Sequence, residues 1–139
     1  MKYLLIFVLL IFIGCKSIPE KDLWIVGKWQ IIDSEIYPVK IGSFELKENS
    51  KLDFKKDGNL FLYDENNRPI KLFFGKLKYR IDGDSLEYIE YDMLIRNGLK
   101  KMSDTLLMNT TMIPYSNLSK ETFEKYRYKG YNFKLIKVK

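Results

Sequence analysis

The sequence predicts an all-β domain, an eight-stranded antiparallel up-and-down barrel, with a two-sheet sandwich as the alternative architecture. Three observations carry that reading. The 139 residues contain no Ala but two Trp, ten Tyr and nine Phe, a composition poor for helices and suited to strands. From Leu23 onward, short apolar and aromatic runs are punctuated by turn signals about every ten residues, as in sandwiches and barrels. Consecutive hairpin connections favour the barrel, because closing the sheet removes exposed edges. The length suits one domain.

The N-terminus stands apart from this pattern. Lys2 precedes ten unbroken apolar residues, Leu4–Ile13. A membrane-spanning helix needs about 20 such residues, whereas ten matches the core of a signal peptide. Gly14 is the small residue a signal peptidase needs before its cut, and Cys15 follows at once. Phe12-Ile13-Gly14-Cys15 resembles the lipobox of bacterial lipoproteins, in which the Cys thiol receives diacylglycerol and the new N-terminus a further acyl chain such as palmitate. The resemblance implies a signal peptide over 1–14 and a membrane anchor at Cys15. Lys16–Asp22 is polar and broken by Pro19, so 15–22 reads as a lipidated tether and 23–139 as the barrel domain. With no acidic run after the Cys, the expected address is the outer membrane, facing the periplasm.

Composition also excludes chemistry. The chain has no His and one Cys, so it offers no His-based triad, general base or metal ligand, no intrachain disulfide and no multi-cysteine zinc site. Its 24 Lys and Arg against 18 Asp and Glu leave a formal charge of +6, too little to name a partner.

The elements follow in order. Leu23–Tyr37 is the first strand region, ended by Pro38, and Lys40–Ser50 reads as a loop. Lys51–Lys55 and Leu60–Asp64 form a hairpin around Asp57-Gly58, a pair suited to a type I′ turn. Asp64–Pro69 is a turn cluster. In Lys71–Ile81, Phe73, Gly75, Leu77, Tyr79 and Ile81 alternate with Lys76, Lys78 and Arg80. Asp82-Gly83-Asp84 turns into Ser85–Met93, where Leu86, Tyr88, Glu90 and Asp92 share one face and Ile89, Tyr91 and Met93 the other. Either face could be inside. Arg96–Ser103 reads as a polar connection, and Thr105–Ile113 as a strand ended by Pro114. Asn117–Lys125 suits a short helix or a strand onset near Thr122. Phe123–Tyr128 and Tyr131–Val138 read as a closing hairpin around Lys129-Gly130.

An eight-stranded barrel is either filled by side chains or holds one small ligand. The core candidates are Leu52, Phe54, Leu60, Leu62, Phe73, Leu77, Tyr79 and Phe133; in an open barrel Phe54, Leu62, Phe73, Leu77, Tyr79 and Phe133 become ligand-lining. Asp82, Asp84, Glu87, Glu90 and Asp92 lie close in sequence. Asp82 and Asp84 flank a glycine turn, where Asp is expected for backbone reasons. Glu90 and Asp92 stand about 7 Å apart on one face, a spacing that permits an acid–base pair without selecting one. Lys51, Lys55, Lys56, Lys71, Lys76, Lys78 and Arg80 make either a positive face for polyanions or an ordinary solvated one. The Lys-interleaved aromatics of Tyr126–Phe133 read as edge protection rather than a nucleic-acid interface.

Gly27-Lys28-Trp29 adds a second resemblance. Together with Leu23, it is similar to the Gly-x-Trp opening strand of the lipocalin superfamily. The order Cys15, Leu23–Trp29, Leu52–Leu60, Tyr79–Leu86 and Leu118–Thr122 resembles the lipocalin-like lipoproteins of Bacteroidota. The resemblance implies that Gly27 and Trp29 form the barrel-closing motif, with Trp29 plugging one end. Arg127 is the nearest counterpart of the Arg that packs on that Trp in many lipocalins. Also implied is a non-enzymatic, monomeric protein without cofactor, metal or nucleic-acid partner, held to a bacterial membrane through Cys15 and binding a small hydrophobic or amphipathic ligand. The alternative is an envelope interaction module, of inhibitor or immunity type, with a filled barrel.

Overall fold

The computed structural model describes residues 17–71, 77–90, 93–109 and 131–139. Among them a 3-10 helix, Glu20–Ile25, is followed by ten strands: β1 (Gly27–Ser34), β2 (Val39–Ile41), β3 (Phe44–Leu46), β4 (Lys51–Phe54), β5 (Asn59–Tyr63), β6 (Leu77–Asp82), β7 (Ser85–Glu90), β8 (Met93–Met102), β9 (Thr105–Met108) and β10 (Phe133–Lys137). Eight of these close into an antiparallel barrel in the order β1-β10-β9-β8-β7-β6-β5-β4, with β4 returning to β1. β2 and β3 form a separate hairpin. The fold is the up-and-down barrel, not the sandwich.

Residues opposite one another in an antiparallel ladder share a face, so the register gives the interior directly. Trp29 pairs with Leu52 and Leu52 with Leu62; Phe54 pairs with Leu60 and Leu60 with Leu77. Tyr79, Tyr88 and Ile95 make the next row, and Leu99, Met108 and Phe133 another. Leu106, Leu135 and Ile31 bring the interior back to β1. All these side chains are buried, the largest being Trp29, Tyr88, Phe54 and Phe133. The alternation that the sequence shows in β4–β6 is therefore the inward half of the pleat.

The chain enters the barrel at one end. Gly27 has φ +125°, which L side chains rarely adopt, and a Cβ there would lie 3.0 Å from Lys137 Cε. That turn joins the 3-10 helix to β1, and it lets the Trp29 indole N–H reach back to the Ile25 carbonyl at 2.7 Å. Here lies the physical sense of the Gly-x-Trp spacing: the Gly makes the turn and the Trp closes the end beneath it.

The structure redraws several expected elements. The polar segment before Leu23 is packed rather than a free tether: Ile18 and Asp22 are buried, and the Ile18 N–H bonds the Lys56 carbonyl at 2.9 Å. Lys40–Ser50, expected as a loop, holds the β2–β3 hairpin. Arg96–Ser103, expected as a connection, is mostly β8. The Asp57-Gly58 turn is not type I′, since only Gly58 has positive φ. Instead the Gly58 N–H bonds Lys55 O at 3.0 Å, and the Asp57 carboxylate caps the Asn59 N–H at 3.0 Å. The first strand is shorter than expected because the chain bends at Glu35–Pro38. Phe73, Gly75, Lys76, Asp92, the Asn117–Lys125 segment, Phe123–Tyr128 and Arg127 lie outside the described residues.

Trp29→Ala should lower the unfolding free energy by about 3–5 kcal/mol, the usual cost of emptying a large buried site. Trp29→Phe keeps most of the bulk but leaves the Ile25 carbonyl unpaired, and should cost about 1–3 kcal/mol. Urea unfolding of the two variants checks the order.

Candidate functional site

Strand directions place the 3-10 helix and the turns at 55–58, 82–85 and 102–105 at one end of the barrel. The mouth, where β1 and β5 end and β8 begins, is at the other. The β2–β3 hairpin covers it. The hairpin leaves β1 after the bend at Glu35–Pro38 and returns through Ser50, whose carbonyl accepts the Ile31 N–H at 2.9 Å. Val39, Ile41 and Leu46 are fully buried and join the barrel residues in one core, with Phe44 packed against them.

The hairpin tip is held to the opposite wall by one carboxylate. Glu90 ends β7 on the inward face, two and four residues after Tyr88 and Leu86, and is buried. It accepts the Ser43 backbone N–H at 3.0 Å and the Ser43 hydroxyl. Gly42, φ +62°, lies so close that a Cβ would collide with Glu90 Oε2 and come within 3.1 Å of Ile95 Cδ1. Gly42 is therefore required twice, for its backbone conformation and for the approach.

The carboxylates that stand together in the sequence are divided by the fold. Asp82 and Asp84 are exposed at the β6–β7 turn. Glu87 points out of the barrel, opposite in direction to Glu90. It is buried between its cross-strand neighbours Arg80 and Arg96, which both donate to it; Arg96 Nε does so at 2.8 Å. Arg96 also lies 3.7 Å from Asp82. Burial alone would push the Glu87 carboxyl up, but the hydrogen bonds and charges of Arg96 and Arg80 outweigh it and hold the group below the usual carboxylate range. These groups form a structural network on the outer wall. Among the described residues no group of three or more Asp, Glu or Cys is placed to hold a metal ion.

The predicted site residues fall as follows. Phe54, Leu62, Leu77, Tyr79 and Phe133 are all inward and buried. Phe54 and Tyr79 meet edge to face, with ring centroids 4.9 Å apart, and the Tyr79 hydroxyl donates to the Lys55 carbonyl at 2.8 Å. Burial raises the phenol's pKa, with the carboxylates of Asp57, Asp22 and Asp53 adding to the effect. Phe54, Leu62, Leu77 and Tyr79 lie on the adjacent strands β4, β5 and β6 and form one wall of the interior, whereas Phe133, on β10 opposite Ser34 and Met108, stands nearer the mouth. Phe73, the sixth, and Cys15 lie outside the described residues. The basic residues Lys55, Lys56, Lys71, Lys78 and Arg80 are exposed, and Lys51 is half-buried.

Two functional features escape a reading of the sequence. One is the Glu90–Ser43 contact. The other is the cation at the closed end, where Lys137 Nζ stands 5.4 Å from the Trp29 ring centroid and donates to the Trp24 carbonyl at 3.1 Å. Lys101 Nζ stands 5.1 Å from the Trp24 ring. Arg127, the sequence candidate for a place over Trp29, lies outside the described residues.

The fold and the covered mouth define a closed eight-stranded up-and-down β-barrel with a hairpin lid. No known family model, curated protein or solved structure matches the chain.

Two measurements check this geometry. Gly42→Ala should break the Glu90 contact, speeding amide exchange over 39–46 while leaving β4–β7 unchanged; Glu90→Gln should do so more weakly. Because the Glu87 pKa is lowered in the folded state, its stabilisation is present above the unfolded value of about 4.3 and lost as pH falls through the lowered folded value. Unfolding free energy should decline on acidification below about pH 4.3, with a shallower decline in Glu87→Gln.

Proposed function

We propose that the chain is a lipid-anchored, lipocalin-like protein of the bacterial cell envelope. It takes a small apolar or amphipathic molecule into its barrel, with the β2–β3 hairpin as a movable cover. The observation that carries this reading is the hairpin itself. Its Val39, Ile41 and Leu46 fill the space beneath the mouth, and its tip is fastened to the far wall through Glu90. Two three-residue strands make a unit that is marginal alone, so the hairpin can open without unfolding the barrel.

The closed form limits what can enter. The inward apolar side chains that make up the interior rows are at most 5% exposed, with Ile81 at the closed end half-buried. A ligand must therefore take the room of the hairpin's side chains. Lifting three buried aliphatics costs about 1.5–3 kcal/mol each, and a ligand must return a comparable apolar contact. This favours an acyl chain or similar group and disfavours sugars and ions. The Phe12-Ile13-Gly14-Cys15 lipobox supports the anchor, and the dispersal of Asp82, Asp84, Glu87 and Glu90 supports a non-catalytic role.

The chain from Lys16 onward retains every described residue and is the right sample. A fluorescent probe with an acyl chain and an uncharged hydrogen-bonding head should bind it, and Gly42→Ala should bind at least several-fold faster because its cover is loosened. Native mass spectrometry should find one ligand per chain. No binding to either form would sink this reading.

The second reading, an envelope interaction module, is favoured by the filled interior. Ile89 and Leu94, paired across β7 and β8 on the outer wall, are 53% and 43% exposed. If that wall is the contact, changing both residues to Lys should abolish a stoichiometric crosslink in intact envelopes.

A further inference from the structure

We propose that the closed end of the barrel rests on the surface of the bilayer that holds the chain's own anchor, so that the mouth and its hairpin face away from the membrane. The inference rests on the reading of Cys15 as the lipidated residue and adds to it a defined orientation and contact face.

Chain length supplies the first argument. Ile18 is buried at the closed end, tied to the Lys56 carbonyl and followed by the packed 3-10 helix. Cys15 precedes it by three residues, a reach of at most about 11 Å at 3.6 Å per residue. The eight residues of β1, at about 3.3 Å each, run roughly 26 Å toward the mouth. The acyl chains therefore leave the protein at the closed end. A polar tether of seven free residues would have allowed any orientation; the docked segment does not.

The second argument is the chemistry of that end. Lys21, Lys56 and Lys139 are exposed there, beside Lys101 and Lys137, whose ammonium groups lie over the two indoles. Met102 and Val138 are 50% and 38% exposed at the same end. Apolar side chains among long lysines, with Trp at the boundary, suit the headgroup level of a bilayer. Carboxylates share this end with the lysines, Asp104 standing on the turn whose carbonyl accepts the Lys137 N–H at 3.1 Å. Asp82 and Asp84 are on the β6–β7 turn and Asp104 on the β8–β9 turn. Asp57 is spent on Asn59, and Glu20 is the exposed carboxylate nearest the lysines in sequence.

Trp24 and Trp29, the chain's two tryptophans, both stand at this end, so native fluorescence reports on it. The full lipoprotein is reconstituted in vesicles of phosphatidylcholine and phosphatidylglycerol, with bromine on the lipid chains near the headgroup. Quenching of the native chain should be at least two-fold greater than that of a Trp24→Phe chain carrying Ile36→Trp at the mouth. Lys21→Gln, Lys56→Gln and Lys139→Gln together should reduce quenching in the anionic vesicles to its level in phosphatidylcholine alone. Equal or greater quenching of the mouth reporter overturns the orientation. Intact mass separates the two readings: a chain without diacylglycerol on Cys15 overturns the anchor and the orientation together, whereas a lipidated but unquenched chain overturns the orientation alone.

Discussion

β1 is hydrogen-bonded along both edges, to β4 from Gly27 to Gln30 and to β10 from Trp29 to Ser34. This double pairing turns a row of hairpins into a barrel, and the other features depend on it. With both edges occupied, the pleat of β1 points Trp29 and Ile31 inward and leaves no open edge for another chain. The register shift between Ile31 and Asp33 marks an irregularity of the kind that bends a strand, shortly before β1 leaves the wall. From there the chain crosses the mouth rather than continuing the sheet. The closed end forms beneath the start of the same strand, through Gly27 and the bond from Trp29 to Ile25. One strand thus fixes the floor and launches the cover.

The two ends are secured by different physics. At the floor the fastenings of Trp29 are local in sequence or adjacent in the ladder: Trp29 to Ile25, and Lys137 over Trp29. They form as the strands pair. At the mouth, Ser43 and Glu90 are 47 residues apart, and no ladder brings them together. Their contact depends on the completed barrel, so it is the natural place for local opening while the walls stay closed. The same contrast supports a membrane on the floor side, where rigidity costs nothing, and solvent on the mouth side, where movement is needed.

How legible each part was depends on whether the pleat showed through. In β4, β5 and β6 the inward positions are Leu, Phe and Tyr while the outward ones are mostly charged, and the alternation located Phe54, Leu62, Leu77 and Tyr79 from the sequence. In β8 the inward positions over the same span are Asn97, Leu99 and Lys101. One apolar residue in three carries no period, and the strand looked like a connection. The hairpin was hidden by length, since three-residue strands give no signal above a loop. Ile18 was a lone apolar residue in a polar stretch, and only the structure shows what it packs on. Glu90 was visible as sharing a face with Leu86 and Tyr88, but its partner could be found only once the hairpin was placed. Lys137 over Trp29 likewise needed the β1–β10 register.

The polar groups inside the barrel sharpen the case for an apolar guest. Among the described residues two inward strand positions carry buried polar side chains, Glu90 and Asn97, and both are directed at elements near the mouth. Glu90 takes the Ser43 N–H and hydroxyl. Asn97 donates to the Asn109 carbonyl at 2.8 Å, while the Asn109 side chain accepts the Gly98 N–H at 2.7 Å. A buried polar group without a partner costs about 1–3 kcal/mol, so these contacts resist any rearrangement that would turn them toward a ligand. Freeing Asn97 would disrupt the β8–β9 wall. Freeing Glu90 leaves a carboxylate at the rim, where water can reach it once the hairpin lifts. The rest of the described inner face is hydrocarbon and aromatic ring, apart from the Tyr hydroxyls and Lys101 at the closed end. Among the described residues, a molecule entering under the hairpin would meet Glu90 at the threshold and apolar walls beyond it. That arrangement admits a hydrocarbon chain with a cationic or hydrogen-bonding head and works against an anionic one.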